Sequence, residues 1–242
     1  MIVLPLIALL ASLGCVAIAI ARYRRHGRTH ELVWIAAFLI FALGAGCEVA
    51  GLRWGWNPFL ARLYYFTGAT LAASYLALGT LFLLAPRRVA VLALRGLLIA
   101  SAAAGWLIAA APVDPVALAT AGWAALAKSP ALVALTVTLN AGGTAVVVGG
   151  AAYSLWRAWR QRGWRRSDLA VLLIAAGTLL IAGGGTLTRL GQHTYLYLAM
   201  APGICLLLAG YLAPDLSGWP RRAQHAAAPA RRPGAMTERR TH

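Results

Sequence analysis

Glu48 and Arg62 are the ionisable residues best placed for chemistry in this 242-residue chain. Each stands just inside a long apolar run, near the run's end, and Arg189 and His193 bracket a later turn at the same level. At about 1.5 Å of helical rise per residue, Glu48 and Arg62 each lie roughly 4 to 6 Å below that end. Ionisable groups in an apolar stretch are costly and mark function by default. This cluster therefore supports three readings: an ion pair of Glu48 with Arg62 or Arg53, a ligand, ion or proton site, or side chains that only snorkel to the head groups. Tyr64, Tyr65, Tyr195 and Tyr197 lie near the same level. A second polar group is Asn140 with Thr144, one turn apart, and Thr136 one turn before. Such residues bond across helices or line a cavity.

Recognised catalytic patterns are missing from the sequence. It contains no HExxH, no Walker loop, no glycine-rich nucleotide fingerprint and no pair of aspartates within an apolar run. No nucleophile–base or metal pair is visible, so an intramembrane enzyme is the least favoured function. No cofactor is expected. Cys15, Cys47 and Cys205 form no CxxC pair and read as small apolar residues inside spans. His26 and His30 are four apart in a short basic loop and read as solvated.

The elements that must carry these residues follow from composition. Hydrophobic residues make up 61% of the chain and charged residues 12%, with a mean hydropathy of +0.72. A soluble domain carries roughly 25% charged residues. The bilayer is then the expected solvent, and runs of about 20 apolar residues without alternation mean helices. The sequence predicts an all-α bundle of seven transmembrane helices, at about 2–21, 32–52, 59–85, 89–111, 131–156, 169–187 and 194–212. Asp114-Pro115 is a helix start signal and predicts a surface helix over about 115–127. Ser129-Pro130 repeats the signal. Residues 213–242, rich in Pro, Ala and Arg, read as a disordered basic tail.

Direction comes from the loop Arg157–Asp168, where Arg157, Arg160, Arg162, Arg165 and Arg166 crowd into ten residues. Such a loop stays in the cytoplasm. With it fixed inside, the N-terminus is outside and the C-terminus is cytoplasmic. Eighteen basic residues then fall on the cytoplasmic side, against Arg53, Arg62, Lys128 and Arg189 outside. The net charge of +16 is accounted for by this pattern and by contact of the Arg157–Arg166 loop with anionic lipid head groups. Nucleic-acid binding is not expected, because the basic residues sit between apolar runs and in the tail, where the positive-inside pattern accounts for them. Trp34 is expected at the inner interface, and Trp54 and Trp56 at the outer one. Ala141, Ala145 and Gly149, with Gly142, Gly143, Gly150, Gly177 and Gly184, predict that spans five and six pack closely together.

The seven-span, N-terminus-out arrangement resembles the topology of rhodopsins and other seven-helix receptors. More loosely, it is similar to seven-span input modules of bacterial sensor proteins. The likeness is one of topology alone: the sole lysine, Lys128, lies outside the spans, which argues against a retinal pigment. The expected function is sensing, binding or a membrane-partner role through the outer polar cluster. The alternative is a small transporter or channel using Glu48 and Asn140. The partners expected are the bilayer, its anionic lipids, and a membrane protein or second copy, in a bacterial inner membrane.

Overall fold

The computed structural model describes residues 2–27, 29–160, 166–189 and 194–216. Among them every regular element is helical, and the one β-type contact is an isolated bridge between Val113 and Leu126. Helices α1 (Val3–His26) and α2 (Thr29–Trp54) form an antiparallel pair. Gly27 stops α1 by turning to φ +61, which a side chain disfavours, and its N–H donates to the Tyr23 carbonyl at 2.7 Å.

Three later starts share one device, a short polar residue followed by proline. Asn57 accepts from the Leu60 N–H at 2.9 Å and opens α3 (Pro58–Tyr64). Asp114 accepts from the N–H groups of Val116 and Ala117 and opens α6 (Pro115–Ala121). Ser129 accepts from the Leu132 N–H at 3.2 Å and opens α7 (Pro130–Arg160). In each case proline lacks the N–H that would otherwise go unsatisfied.

Helix α3 runs without a break into a π-helical turn, π1 (Tyr65–Leu71), and then α4 (Ala72–Leu84). Helix α5 (Arg87–Ala110) returns to the end where α3 began. There α6, a 3-10 turn (Gly122–Ala125) and the Val113–Leu126 bridge form a small lid. It is shorter than the helix expected over about 115–127, because Gly122 leaves the helical conformation at φ +56. Helices α8 (Arg166–Arg189) and α9 (Thr194–Leu216) complete the chain.

Among the described residues five helical stretches are long and apolar enough to cross a membrane: Val3–His26, Thr29–Trp54, Pro58–Phe82, Arg87–Ala110 and Pro130–Arg157. In α8 and α9 the apolar segments among the described residues are shorter, Leu172–Ile181 and Ala201–Leu212. Outward faces are apolar: Leu10, Leu92, Ile99 and Trp106 are all more than 60% exposed, which suits lipid and not water. At the arginine-bearing end the helices outrun the apolar segments, with α1 reaching His26 and α7 reaching Arg160. Hydropathy marks the hydrocarbon layer, whereas backbone hydrogen bonding continues into the head-group layer.

The main core joins α1, α2, α4 and α9 through Cys15, Val16, Phe38, Phe41, Leu76, Ile204 and Leu207. A smaller core under the lid joins Tyr65, Ile108, Leu126 and Leu132. Trp34 is not at an interface; it is buried, stacked on Phe38 at 5.5 Å and seated against Gly79. Cys205 differs from Cys15 and Cys47 in being exposed.

The small residues of α7 and α8 make close contacts, but with other partners than expected. Gly143 and Gly150, seven apart, face α4: a Cβ on Gly143 would stand 2.8 Å from the Ala73 carbonyl carbon and oxygen. Gly177 lies against the Gly203 carbonyl and Leu207 of α9. Ala141, Gly142, Ala145 and Gly149 are exposed, and Gly142 and Gly149 meet nothing. Helices α7 and α8 touch, but the tightest glycine contacts are α7 on α4 and α8 on α9.

This packing predicts opposite outcomes for neighbouring glycines. Gly143→Ala should destabilise the protein in detergent by about 1–3 kcal/mol, since the methyl overpacks against backbone. Gly142→Ala should leave thermal stability unchanged or raise it slightly, because helix propensity improves at an open site. Equal behaviour of the two in a thermal melt would contradict the α4–α7 contact.

Candidate functional site

Glu48 is completely buried. Gly44, Glu48 and Gly51 are spaced four and three apart, so they share one face of α2. At Gly44 that face meets backbone, where a Cβ would come within 2.9 Å of Gly68 Cα in π1. At Gly51 the same face lies under the ring of Trp56. Glu48 is therefore held between the π-helical turn and the tryptophan that closes the end of the bundle.

An aromatic layer covers this level. Trp56 stands edge-on to Tyr64 at 5.7 Å, and Tyr64 stacks at a tilt on Trp123 at 5.2 Å. Trp123 belongs to the lid, and a Cβ on Gly122 beside it would clash with the Trp56 indole nitrogen at 2.8 Å. The Lys128 ammonium lies 5.7 Å from the Tyr65 ring and 5.5 Å from the Trp123 ring, within cation–π range. The lid is thus anchored by ring contacts over a buried carboxylate.

The π-helical turn is held from its other side by α7. In π geometry the Ala72 N–H reaches back five residues to the Thr67 carbonyl, and Thr70 Oγ1 donates to the Tyr65 carbonyl at 2.9 Å. Asn140 spends both amide hydrogens here, donating to the Ala69 carbonyl at 2.7 Å and to the Thr136 carbonyl at 2.9 Å. The hydroxyls of Thr70 and Thr136 meet at 3.3 Å, and Ser74 Oγ donates to the Leu139 carbonyl at 2.7 Å. Thr144, one turn beyond Asn140, makes no side-chain hydrogen bond among the described residues.

Of the residues expected to join Glu48, Arg62 and Arg53 find other surroundings. Arg62 Nη2 donates to the Ala111 carbonyl at 3.0 Å, tying α3 to the start of the lid, and its buried Nε has no hydrogen-bond partner. The expected Glu48–Arg62 ion pair is not formed, and Arg53 is exposed. His193 and the side chain of Arg189 lie outside the described residues. Arg157 and Arg160 are exposed, with the Arg160 guanidinium 4.6 Å above the Trp156 ring. Arg162, Arg165 and the side chain of Arg166 also lie outside the described residues.

A second buried carboxylate at the opposite end was missed by sequence reasoning. Glu31 is 6% exposed and accepts a short hydrogen bond from the Tyr211 hydroxyl. His30 Nε2 lies 3.5 Å from Glu31 Oε1. Arg22 donates to the Tyr211 carbonyl at 2.6 Å, and its guanidinium stands 4.1 Å over the Tyr211 ring. Phe38 packs edge-on to that ring at 5.5 Å. These contacts lock α1, α2 and α9 together. One signal was available: Glu31 is three residues before Trp34 and shares its helical face.

Among the described residues no three His, Cys, Asp or Glu side chains gather to hold a metal ion. The chain matches no protein-family model, no curated protein and no solved structure.

Two substitutions probe these networks. Asn140→Ala should cost about 1–2 kcal/mol in detergent unfolding, in line with interhelical polar contacts, while Thr144→Ala should change little. Tyr211→Phe removes the Glu31 donor and should cost about 1–3 kcal/mol, the penalty for a buried acceptor left without it. If Tyr211→Phe melts with the wild-type protein, the Glu31–Tyr211 bond contributes nothing to holding α9.

Proposed function

We propose that the chain is a non-enzymatic, seven-span membrane protein that binds a cation or a proton at Glu48 and so senses the medium at the lid end. The observation that carries this reading is the fully buried Glu48, on the face of α2 that meets a π-helical turn at Gly44. Short π-helical turns inside α-helices gather at functional sites, because the extra residue loosens local hydrogen bonding. An ionisable group kept at full burial within an apolar helix is costly, and so marks a functional position by default. The lid, whose Trp123 packs on Tyr64 and Tyr65 and whose Gly122 lies on the Trp56 indole, is the element that would respond.

Seven spans are supported by the lengths of α8 and α9, 24 and 23 residues, close to the 24 of α1. The N-terminus is placed outside and the C-terminus in the cytoplasm of a bacterial inner membrane. Support for that orientation is the gathering of Arg22, Arg24, Arg25, Arg87, Arg88, Arg157 and Arg160 at one end of the bundle. In this orientation the Arg157–Arg166 loop and the basic tail face anionic head groups.

The test is a melting-temperature panel on purified protein in detergent, with sodium, potassium, calcium, alkylammonium ions and polyamines, and with pH from about 5 to 9. At least one condition should shift the wild-type protein and leave Glu48→Gln unmoved. If the two proteins respond alike throughout, Glu48 is not a binding site. Ion flux through liposomes that Glu48→Gln abolishes would instead favour a transporter.

A further inference from the structure

The first three turns of α5 carry a site apart from Glu48. Arg87, Arg88 and Arg95, with Val91 and Leu92, line an open concavity of about 630 Å³ on the outer surface of the bundle. Arg88 and Arg95 are seven residues apart, two helical turns, so both project from one stripe of α5. Leu92, Ile99 and Trp106 continue that stripe and are 70%, 73% and 77% exposed. This is a face for acyl chains with arginines at one end.

Arg95 is the informative residue. It stands about 10 Å along the axis from Arg88, inside a helix whose apolar window has a mean hydropathy of 1.9. It is exposed, so bundle packing does not shelter it. Among the residues whose side chains are described, which leaves out Asp168 and Asp215, no carboxylate answers these three arginines. Glu31 is engaged by Tyr211 and His30, Glu48 is buried in α2, and Asp114 caps α6 at the far end of α5. A guanidinium facing the acyl region reaches back toward the head groups and takes its anion from there. Phosphate suits it, because the planar fork of arginine donates two parallel hydrogen bonds to phosphate oxygens.

We infer that the Arg87 end of α5 is a binding site for an anionic phospholipid. The head-group phosphate lies between Arg88 and Arg95 with Arg87 at its flank, and an acyl chain runs along Leu92 and Ile99. This differs from general attraction of basic loops to a charged surface, because it requires a phosphate and an apolar tail in one molecule at one place. It is also independent of the reading of Glu48.

Native mass spectrometry of the full-length protein in detergent, titrated with phosphatidylglycerol or phosphatidylcholine, tests it. One tightly held phosphatidylglycerol is expected, at least tenfold preferred over phosphatidylcholine. Arg88→Gln with Arg95→Gln should erase the preference. Arg24→Gln with Arg25→Gln, the same charge loss at the same end of the bundle, should keep it within twofold. Arg95→Lys retains the charge without the fork and should fall between, which guards against a folding defect in the double variant. Equal binding of both lipids, or equal loss in both double variants, would overturn the proposal. Displacement of the lipid by millimolar inorganic phosphate would assign the site to free phosphate and overturn its lipid part.

Discussion

The Asn140 amide bonded to the Ala69 carbonyl is the interaction on which the rest of this bundle depends. In hydrocarbon no water satisfies a backbone group, so a departure from regular α-helix needs a protein partner at the same depth. The π-helical turn Tyr65–Leu71 is such a departure, and α7 supplies the partners through Asn140, Thr136 and the Leu139 carbonyl that receives Ser74. Gly143 lets the two backbones approach closely enough for those bonds. The opposite side of the same turn receives Gly44 of α2, on the face that also carries Glu48. One irregular turn therefore joins α2, α7 and the helix that contains it, and the buried Glu48 lies on the α2 face turned toward it.

Both buried carboxylates belong to α2, one near each end, and they are held differently. Glu31 sits in a network of Tyr211, His30 and Arg22 that reaches α1 and α9, which fits a fastening. Glu48 lies beneath rings that belong partly to a lid, which fits a site that can be opened. A lid anchored by Trp56, Tyr64 and Trp123 depends on ring contacts worth about 0.5–1.5 kcal/mol each beyond their burial. That is small enough for a bound ion to shift.

Much of the fold was legible in the sequence because bilayer thickness sets the length of apolar runs. The positions of α1 to α5 and α7 follow from run length, and the starts of α6 and α7 follow from Asp114-Pro115 and Ser129-Pro130. The site was less legible. A π-helical turn has no sequence signature, since Tyr65–Leu71 reads like any apolar helix. Glu31 sits beside Arg22–His30 and reads as a loop carboxylate, because hydropathy cannot see that Tyr211 of the last helix comes to meet it. Glycine spacing showed that some backbone approaches α7 but not whose, so Gly143 was assigned to the wrong neighbour. Run boundaries supplied the depth of Arg62 but not its direction about the helix, and its guanidinium goes to the Ala111 carbonyl.

A high-resolution density map of the protein in lipid nanodiscs, focused on the lid end, tests the central claim most directly. The account predicts density for water, an ion or a small molecule within hydrogen-bonding distance of the Glu48 carboxylate, under Trp56. A carboxylate sealed in dry contact with protein groups alone would contradict it and make Glu48 a structural residue.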